Sequence, residues 1–220
     1  MSADSHELER IYAHRFDGDA DYRNLVWQTL IRGWFQAHVP PDASVLDLGC
    51  GYGQFINNVQ CGRKYAMDAN PAARGRLDPS VVFLEQDCSQ TWNLSDGSLD
   101  VVFTSNFFEH LYSKADLMKT IVEARRCLRR GGRLIAMGPN IKFVGGAYWD
   151  FYDHYLPLTE LSVKEALETA GFKMDLVLDR FLPYTMVNAP KAPVALMRLY
   201  LRMPFVWKWL GKQFVVIASS

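Results

Sequence analysis

The sequence predicts an α/β fold built on a mostly parallel sheet, and three observations predict it. Apolar runs of strand length recur at 45–48, 64–68, 81–84, 100–104 and 133–137, with helix-patterned or turn-forming segments between them. Strands that alternate with helices imply parallel pairing through crossover connections. Three of these runs end on or close to a carboxylate: Asp47, Asp68 and Asp87. The first run passes straight into three alternating glycines, Gly49, Gly51 and Gly53, and then into an amphipathic stretch over 54–59. A strand, a glycine turn and a helix in that order commonly hold a nucleotide-like ligand at the carboxyl edge of a parallel sheet.

Taken in order, residues 21–38 place Leu25, Val26, Leu30, Ile31, Trp34 and Phe35 at helical spacing, and Pro40-Pro41 ends that helix before the first strand. Ahead of it, Tyr12 and His14 are read as cap residues that pack, with substrate contact as the alternative. The second strand closes on Asp68, and Asn70-Pro71 signals a helix start. The third leads to Asp87-Cys88, and the fourth to Ser105-Asn106 and then Glu109-His110. Leu117, Ile121, Ala124 and Leu128 form one face of a helix over 114–128, which Gly131-Gly132 is expected to end. The fifth strand follows. A helix over 161–170 has Thr159 or Ser162 as N-cap candidates and Gly171 as its stop. Residues 172–178 alternate weakly and read as a sixth strand, and 212–218 as the last.

The glycine spacing and its carboxylate select a cofactor. A dinucleotide turn is spaced G-x-G-x-x-G and sets a pyrophosphate on a helix N-terminus. Here the spacing is G-x-G-x-G, with Gln54 where the last dinucleotide glycine would fall and Asp47 two residues before the first. A carboxylate in a poorly solvated turn repels a pyrophosphate and favours a cation. The turn therefore points away from NAD and toward S-adenosylmethionine, which carries an ammonium and a sulfonium. Asp68 comes at the expected interval, about twenty residues on, for ribose hydroxyls.

The segments VLDLGCGYG at 45–53, YAMD at 65–68, QDCS at 86–89, DVVFTSNFFEHL at 100–111 and LRRGGRLIAMGPN at 128–140 resemble, in that order, the class I S-adenosylmethionine-dependent methyltransferases. The likeness covers about residues 42–180, and GKQFVVIA at 211–218 is similar to that family's last strand. The resemblance implies a Rossmann-like three-layer α/β/α sandwich whose mostly parallel seven-stranded sheet has its last strand antiparallel. It implies N-terminal cap helices over 1–41, a cofactor-binding core over 42–180, an aromatic and basic insertion over 181–211 and the final strand over 212–220. By motif, Gly49, Cys50, Gly51 and Gly53 would surround the methionyl part, with Asp47 answering its ammonium. Asp68, with Ala69 beside it, would take the ribose. Asp87 would accept from the adenine amino group and the Cys88 N–H would donate to the ring. Ser105 and Asn106 would lie near the methionyl carboxylate and the methyl group.

The acceptor side is read from two segments. His110, next to Glu109, is either a base near the sulfonium or half of a polar helix-start pair held by backbone. Residues 140–155 leave the fifth strand at the edge where open α/β sheets bind ligands, and they crowd aromatics, two Asp and one His around Gly145-Gly146. Asn140, Tyr148, Trp149 and Tyr155 are expected to bind the acceptor. His154 is expected to act as general base ahead of Asp150 and His110, because an Asp beside a His can raise its pKa or fix its tautomer. The alternative is that the aromatics pack the loop and His154 caps the next helix. Cys50, Cys61, Cys88 and Cys127 show no paired spacing, so no metal site and no disulfide framework is read.

Residues 194–210 are dense in apolar and aromatic side chains, carry Arg198, Arg202 and Lys208, and are interrupted by Pro204. They are too short and too charged to span a bilayer. A lid or a subunit surface is expected, with an interfacial membrane helix presenting Trp207 and Trp209 as the alternative. The chain has 220 residues, 49% hydrophobic, with zero formal net charge. That composition argues against a disordered chain and against nucleic acid as substrate. The polar first ten residues lack a signal-peptide core, and a cytoplasmic location is expected. The expected activity is methyl transfer by a monomer or homodimer to a small-molecule acceptor, at oxygen ahead of nitrogen or carbon. The DHYLPLT segment at 153–159 resembles methyltransferases of saccharide or specialised metabolism. The alternatives are a lipid or quinone precursor at a membrane surface, and a cofactor-binding protein without catalysis.

Overall fold

The structure, a computed structural model, describes residues 20–184 and 191–220. Tyr12 and His14 lie outside the described residues. The strands are β1 (Ser44–Leu48), β2 (Arg63–Asp68), β3 (Val81–Glu85), β4 (Leu99–Ser105), β5 (Leu128–Pro139), β6 (Lys173–Leu178) and β7 (Gln213–Ser219). The described helices are α1 (Ala20–Gly33), α2 (Gln54–Asn58), α3 (Lys114–Cys127), α4 (Ile141–Val144), α5 (Glu160–Thr169), α6 (Val194–Leu201) and α7 (Pro204–Leu210). The sheet is seven-stranded, in the order β3-β2-β1-β4-β5-β7-β6. β1, β2 and β3 pair in parallel, as do β4 and β5, whereas β7 runs antiparallel to both β5 and β6. This is the mostly parallel Rossmann-like sheet with an antiparallel last strand that the family resemblance implies.

The chain divides into two compact units. The first, residues 1–87 and 185–203, contains β1 to β3. Val45, Leu46 and Leu48 are buried, so β1 reads as a near-continuous apolar run interrupted by Asp47, as parallel strands covered on both faces do. Phe35 is fully buried, with its ring centroid 6.3 Å from both Trp27 and Phe55. The helix expected over 21–38 is shorter. It stops at Gly33, and Phe35–His38 is a 3₁₀ turn. Glycine is a poor helix interior residue, and here it admits α6, since a side chain at Gly33 would meet Leu201 Cδ1 at 2.7 Å. The Tyr22 hydroxyl donates to the Ala192 carbonyl across 2.9 Å. The first helix of the expected insertion therefore packs on α1.

The second unit, residues 88–184 and 204–220, contains β4 to β7. Ser113 caps α3 by accepting the Asp116 N–H at 3.1 Å, and the buried face is Leu117, Thr120, Ile121, Ala124 and Cys127. The structure corrects the end of this helix. It stops at Cys127 because Leu128 is already extended, and the chain enters β5 directly. Gly131 and Gly132 instead serve the strand. Pairing jumps from Leu99↔Leu128 to Val101↔Arg133, and the residues between bulge out, with Gly131 at φ 74°. Thr159 and Ser162, the two cap candidates of α5, both take part in one capping box. In α7, Trp207 is buried edge-on against Phe181 at 4.9 Å, while Trp209 is 82% exposed. No helix among the described residues is long and apolar enough to cross a membrane.

Candidate functional site

Leaving β1, the chain turns on Gly49, Gly51 and Gly53, whose φ angles are 68°, 52° and 72°. Three left-handed residues at alternating positions are strained for anything but glycine. At Gly53 a side chain would also strike Leu77 Cδ2 at 2.4 Å. The donors of this turn are committed within the protein. Gly49 and Cys50 donate to the Met67 carbonyl at 2.9 and 3.1 Å, and Gly53 donates to the Cys50 carbonyl at 2.9 Å. Gly51 donates to Asp68 Oδ2 at 2.9 Å, and Asp68 Oδ1 accepts the Asn70 N–H at 2.9 Å. A carboxylate oxygen accepts more than one donor, so this anchoring orients Asp68 and is compatible with further hydroxyls. Ala69, between the two anchors, is exposed.

Asp47 is buried behind the turn. Burial pushes its pKa up to about 8, the charge of Asp68 adds to the shift, and the Ile56 N–H opposes it by donating to the carboxylate. The Cys50 thiol is pushed up by burial as well, so it is held neutral. Asn70 is a residue that sequence reasoning missed as a site group. Its Oδ1 accepts the Ala72 N–H at 3.0 Å, which fixes the amide orientation, and its buried Nδ2 has no hydrogen-bond partner among the described residues. The Asn-Pro pair gave only a helix-start signal. Asp87 is half-buried at the end of the same unit.

In the second unit, Cys88 is buried and its carbonyl accepts from Trp92 Nε1 at 2.8 Å. Asn106 has φ 50°, the one non-glycine residue in the left-handed region among the described residues. Its N–H donates to the Met137 carbonyl at 2.9 Å, and its amide donates to Ser105 Oγ at 3.1 Å. A left-handed asparagine just past a strand is an uncommon conformation that clusters at functional turns.

The same unit holds a cluster of ionisable and aromatic side chains. Tyr148 is fully buried and its hydroxyl donates to the Leu156 carbonyl. The His154 ring, also buried, lies 4.6 Å from Tyr148, 4.9 Å from Phe151 and 5.0 Å from His110. His110 Nδ1 faces Asp153 twice, its carbonyl at 2.9 Å and its carboxylate at 3.2 Å. The carboxylate beside His154 in sequence thus serves the imidazole of another segment. Glu109 is buried, and its carbonyl accepts the N–H groups of Tyr155 and Leu156 at 2.8 and 3.1 Å, pinning the loop to the end of β4. Burial pushes the Glu109 pKa up to about 7, against the pull of His110. For His110 burial acts downward, but the hydrogen bond it donates to Asp153 and the charges of Glu109 and Asp153 outweigh it and leave the pKa raised.

Of the three candidate bases, the structure brings His154 and His110 together and leaves Asp150 exposed outside the pair. Trp149 and Tyr155 are exposed, with the Tyr155 ring 4.7 Å from Tyr112. Asn140 is fully buried as the cap of α4. Its Oδ1 accepts the Lys142 N–H at 3.3 Å, and its Nδ2 donates to Glu160 Oε2 at 2.6 Å and to the Asp179 carbonyl at 2.9 Å. Thr159, rather than His154, caps α5.

Residues 46–136 match the family model described as a methyltransferase domain. A Mycolicibacterium smegmatis protein described as a "probable S-adenosylmethionine-dependent methyltransferase" is 31% identical over 151 residues, covering 66% of this chain and 58% of that protein. The solved structure of a SAM-dependent methyltransferase from Archaeoglobus fulgidus aligns at TM-score 0.67 and 19% identity, over 90% of this chain and 94% of that one. The N-methyltransferase NodS of Bradyrhizobium japonicum, in complex with S-adenosyl-L-homocysteine, aligns at TM-score 0.63 and 15% identity, over 98% and 97% of the two chains. The two structures share the fold. The chain spans less than two thirds of the length of the curated relatives it matches.

Proposed function

We propose that this chain, which carries a class I S-adenosylmethionine-dependent methyltransferase domain, transfers a methyl group from that cofactor to a small-molecule acceptor. The observation that carries the reading is the polarity of the glycine turn. The N–H groups of Gly49, Cys50, Gly51 and Gly53 already have acceptors, while Asp47 and Asp68 stand behind the turn as buried carboxyl groups. A pyrophosphate would meet carboxylates, with the N–H groups of Gly49, Cys50, Gly51 and Gly53 already spent. An ammonium and a pair of ribose hydroxyls would find acceptors. A cation next to Asp47 also relieves the burial that raises its pKa.

Asp47 would hold the ammonium and Asp68 the ribose hydroxyls, with Asn70 Nδ2 as a further donor in reach of the same strand end. When bound, the cofactor supplies a methyl group already activated on sulfur. The protein is left to align the acceptor and exclude water. In the second unit, Tyr148, Phe151 and His154 pack together as an aromatic wall behind the partly exposed His110 ring, the side from which an acceptor would approach. An oxygen acceptor fits the ionisable groups in that wall. His110, braced on Nδ1 by Asp153, keeps Nε2 for a proton, and His154 stands beside it. A lipid or quinone precursor remains the second reading because Leu196, Leu199, Phe205 and Trp209 are exposed apolar side chains.

The reading is tested by calorimetric titration with S-adenosylhomocysteine and, separately, NAD. The former is expected to bind and to raise the melting temperature by mass action, and the latter to do neither. An NAD effect as large as that of the homocysteine compound would overturn it. Mass spectrometry of candidate acceptor extracts, incubated with cofactor and enzyme, then looks for a product that has gained a methyl group.

A further inference from the structure

We propose that Glu109, His110 and His154 bind a divalent transition-metal ion, with zinc the best match to the ligand set. A carboxylate oxygen and two imidazole nitrogens, one atom from each residue, lie within 4.8 Å of one another. Tetrahedral zinc with nitrogen and oxygen ligands sets such atoms ~3.3 Å apart, so the widest spacing has roughly 1.5 Å or less to close. Two imidazoles and one carboxylate are a donor set of intermediate softness, suited to zinc and its neighbours and unsuited to calcium or magnesium.

The surroundings are those of a ligand site. Asp153 engages His110 Nδ1 through both its carboxylate and its carbonyl, which orients the ring and leaves Nε2 as the ligand atom. Metal-binding histidines are usually braced in this way. The His154 ring is clamped between Tyr148 and Phe151, so its position is set by packing. Glu109 is 2% exposed, where a lone charge is costly, and a dication there would convert that cost into attraction. The His110 side chain is 27% exposed and provides the way in. Three protein ligands leave one position of a tetrahedral ion for water or an acceptor oxygen. With the ion bound, the two histidines would serve as ligands in place of the proton-accepting role given to them above, and the cation would lower the pKa of an acceptor hydroxyl whose proton leaves to solvent. The proposal does not depend on methyl transfer and is tested apart from it.

The full chain is titrated with zinc, and with cobalt(II) as a spectroscopic stand-in, against a chelator of known affinity. Binding of a single equivalent is expected. The cobalt bands should be those of nitrogen and oxygen ligands, without the thiolate charge-transfer band that the cysteines would give. Glu109→Gln and His154→Gln should each weaken zinc binding at least tenfold, and the outer-layer change Asp153→Asn by about 10–100-fold. Unchanged S-adenosylhomocysteine binding shows that a variant is folded. In the unaltered protein, the imidazole nitrogen resonances of His110 and His154 should shift on zinc addition, a readout that stands even where a variant does not fold. No zinc binding, binding undiminished in both ligand variants, a thiolate band, or shifts confined to other histidines would each overturn the proposal.

Discussion

The Gly51 N–H donates to Asp68 Oδ2 across 2.9 Å, which ties the glycine turn after β1 to the end of β2. The bond does two things. It spends the donor that a phosphate would use, and it aims a carboxylate whose other oxygen is held by Asn70. On the proposed reading, turn shape and ribose recognition are coupled through one side chain.

Replacement of Asp68 by Ala is expected to weaken S-adenosylhomocysteine binding by about 1.5–3 kcal/mol, the scale of a lost hydrogen bond to a charged group. Asp68→Asn keeps one acceptor oxygen and should lose less. Titration calorimetry measures both, and an unchanged affinity in the alanine variant would remove Asp68 from the site.

Asp47 makes binding and stability depend on pH in opposite directions. Its folded-state pKa is about 8 against an ordinary value of 3.8. Between those values the folded chain keeps a proton that the unfolded chain has lost, so this group's contribution to stability falls as pH rises through that window. A cation bound beside Asp47 favours the ionised form. Cofactor binding at pH 7 should therefore release a proton, and affinity should rise with pH until about 8. Calorimetry in buffers of different ionisation heat reads the proton directly. Asp47→Asn should abolish the difference between buffers, and equal heats for the unaltered protein would contradict the assignment.

Gly53→Ala is expected to destabilise the turn even though it adds only a methyl group. The residue needs φ 72°, and the new carbon would sit 2.4 Å from Leu77 Cδ2. A loss of about 1–3 kcal/mol is the scale for a strained left-handed residue, read as a lower denaturant midpoint. Leu77→Ala in the same chain should recover the steric share and leave the backbone share.

The glycine turn and its two carboxylates were legible because backbone geometry demands particular residues there, and the demand is local. Asp47, Gly49, Gly51, Gly53 and Asp68 are all placed within one strand-turn-helix-strand stretch. The Glu109, His110, Asp153 and His154 cluster was half legible. Each segment shows a carboxylate next to a histidine, which suggests pairing within the segment, but the structure crosses them and gives Asp153 to His110. That choice depends on how β4 and the loop after β5 approach, and no local pattern encodes it. The Gly131-Gly132 pair misled for a related reason. Glycine marks a departure from regular structure, and a strand bulge uses it as readily as a helix end does.

Asn140 gives the last prediction. Both kinds of amide atom are engaged: Oδ1 accepts from Lys142, and Nδ2 donates to Glu160 and to the Asp179 carbonyl. Glu160 is buried, and its carboxyl is held below its usual range because the hydrogen bonds from Lys142 and Asn140 outweigh burial. Asn140→Ala removes one of those partners and a helix cap together, and should cost about 2–3 kcal/mol of stability while leaving S-adenosylhomocysteine affinity unchanged. Asn140→Asp fills the same volume but sets a second carboxylate where the amide now lies 2.6 Å from Glu160. It should be at least as destabilising at neutral pH, and should recover as the pH falls into the range where one of the two carboxyls is protonated. Thermal melts of both variants across pH read these outcomes. Melting points that match the unaltered protein, together with lost turnover, would instead show that Asn140 contacts the acceptor.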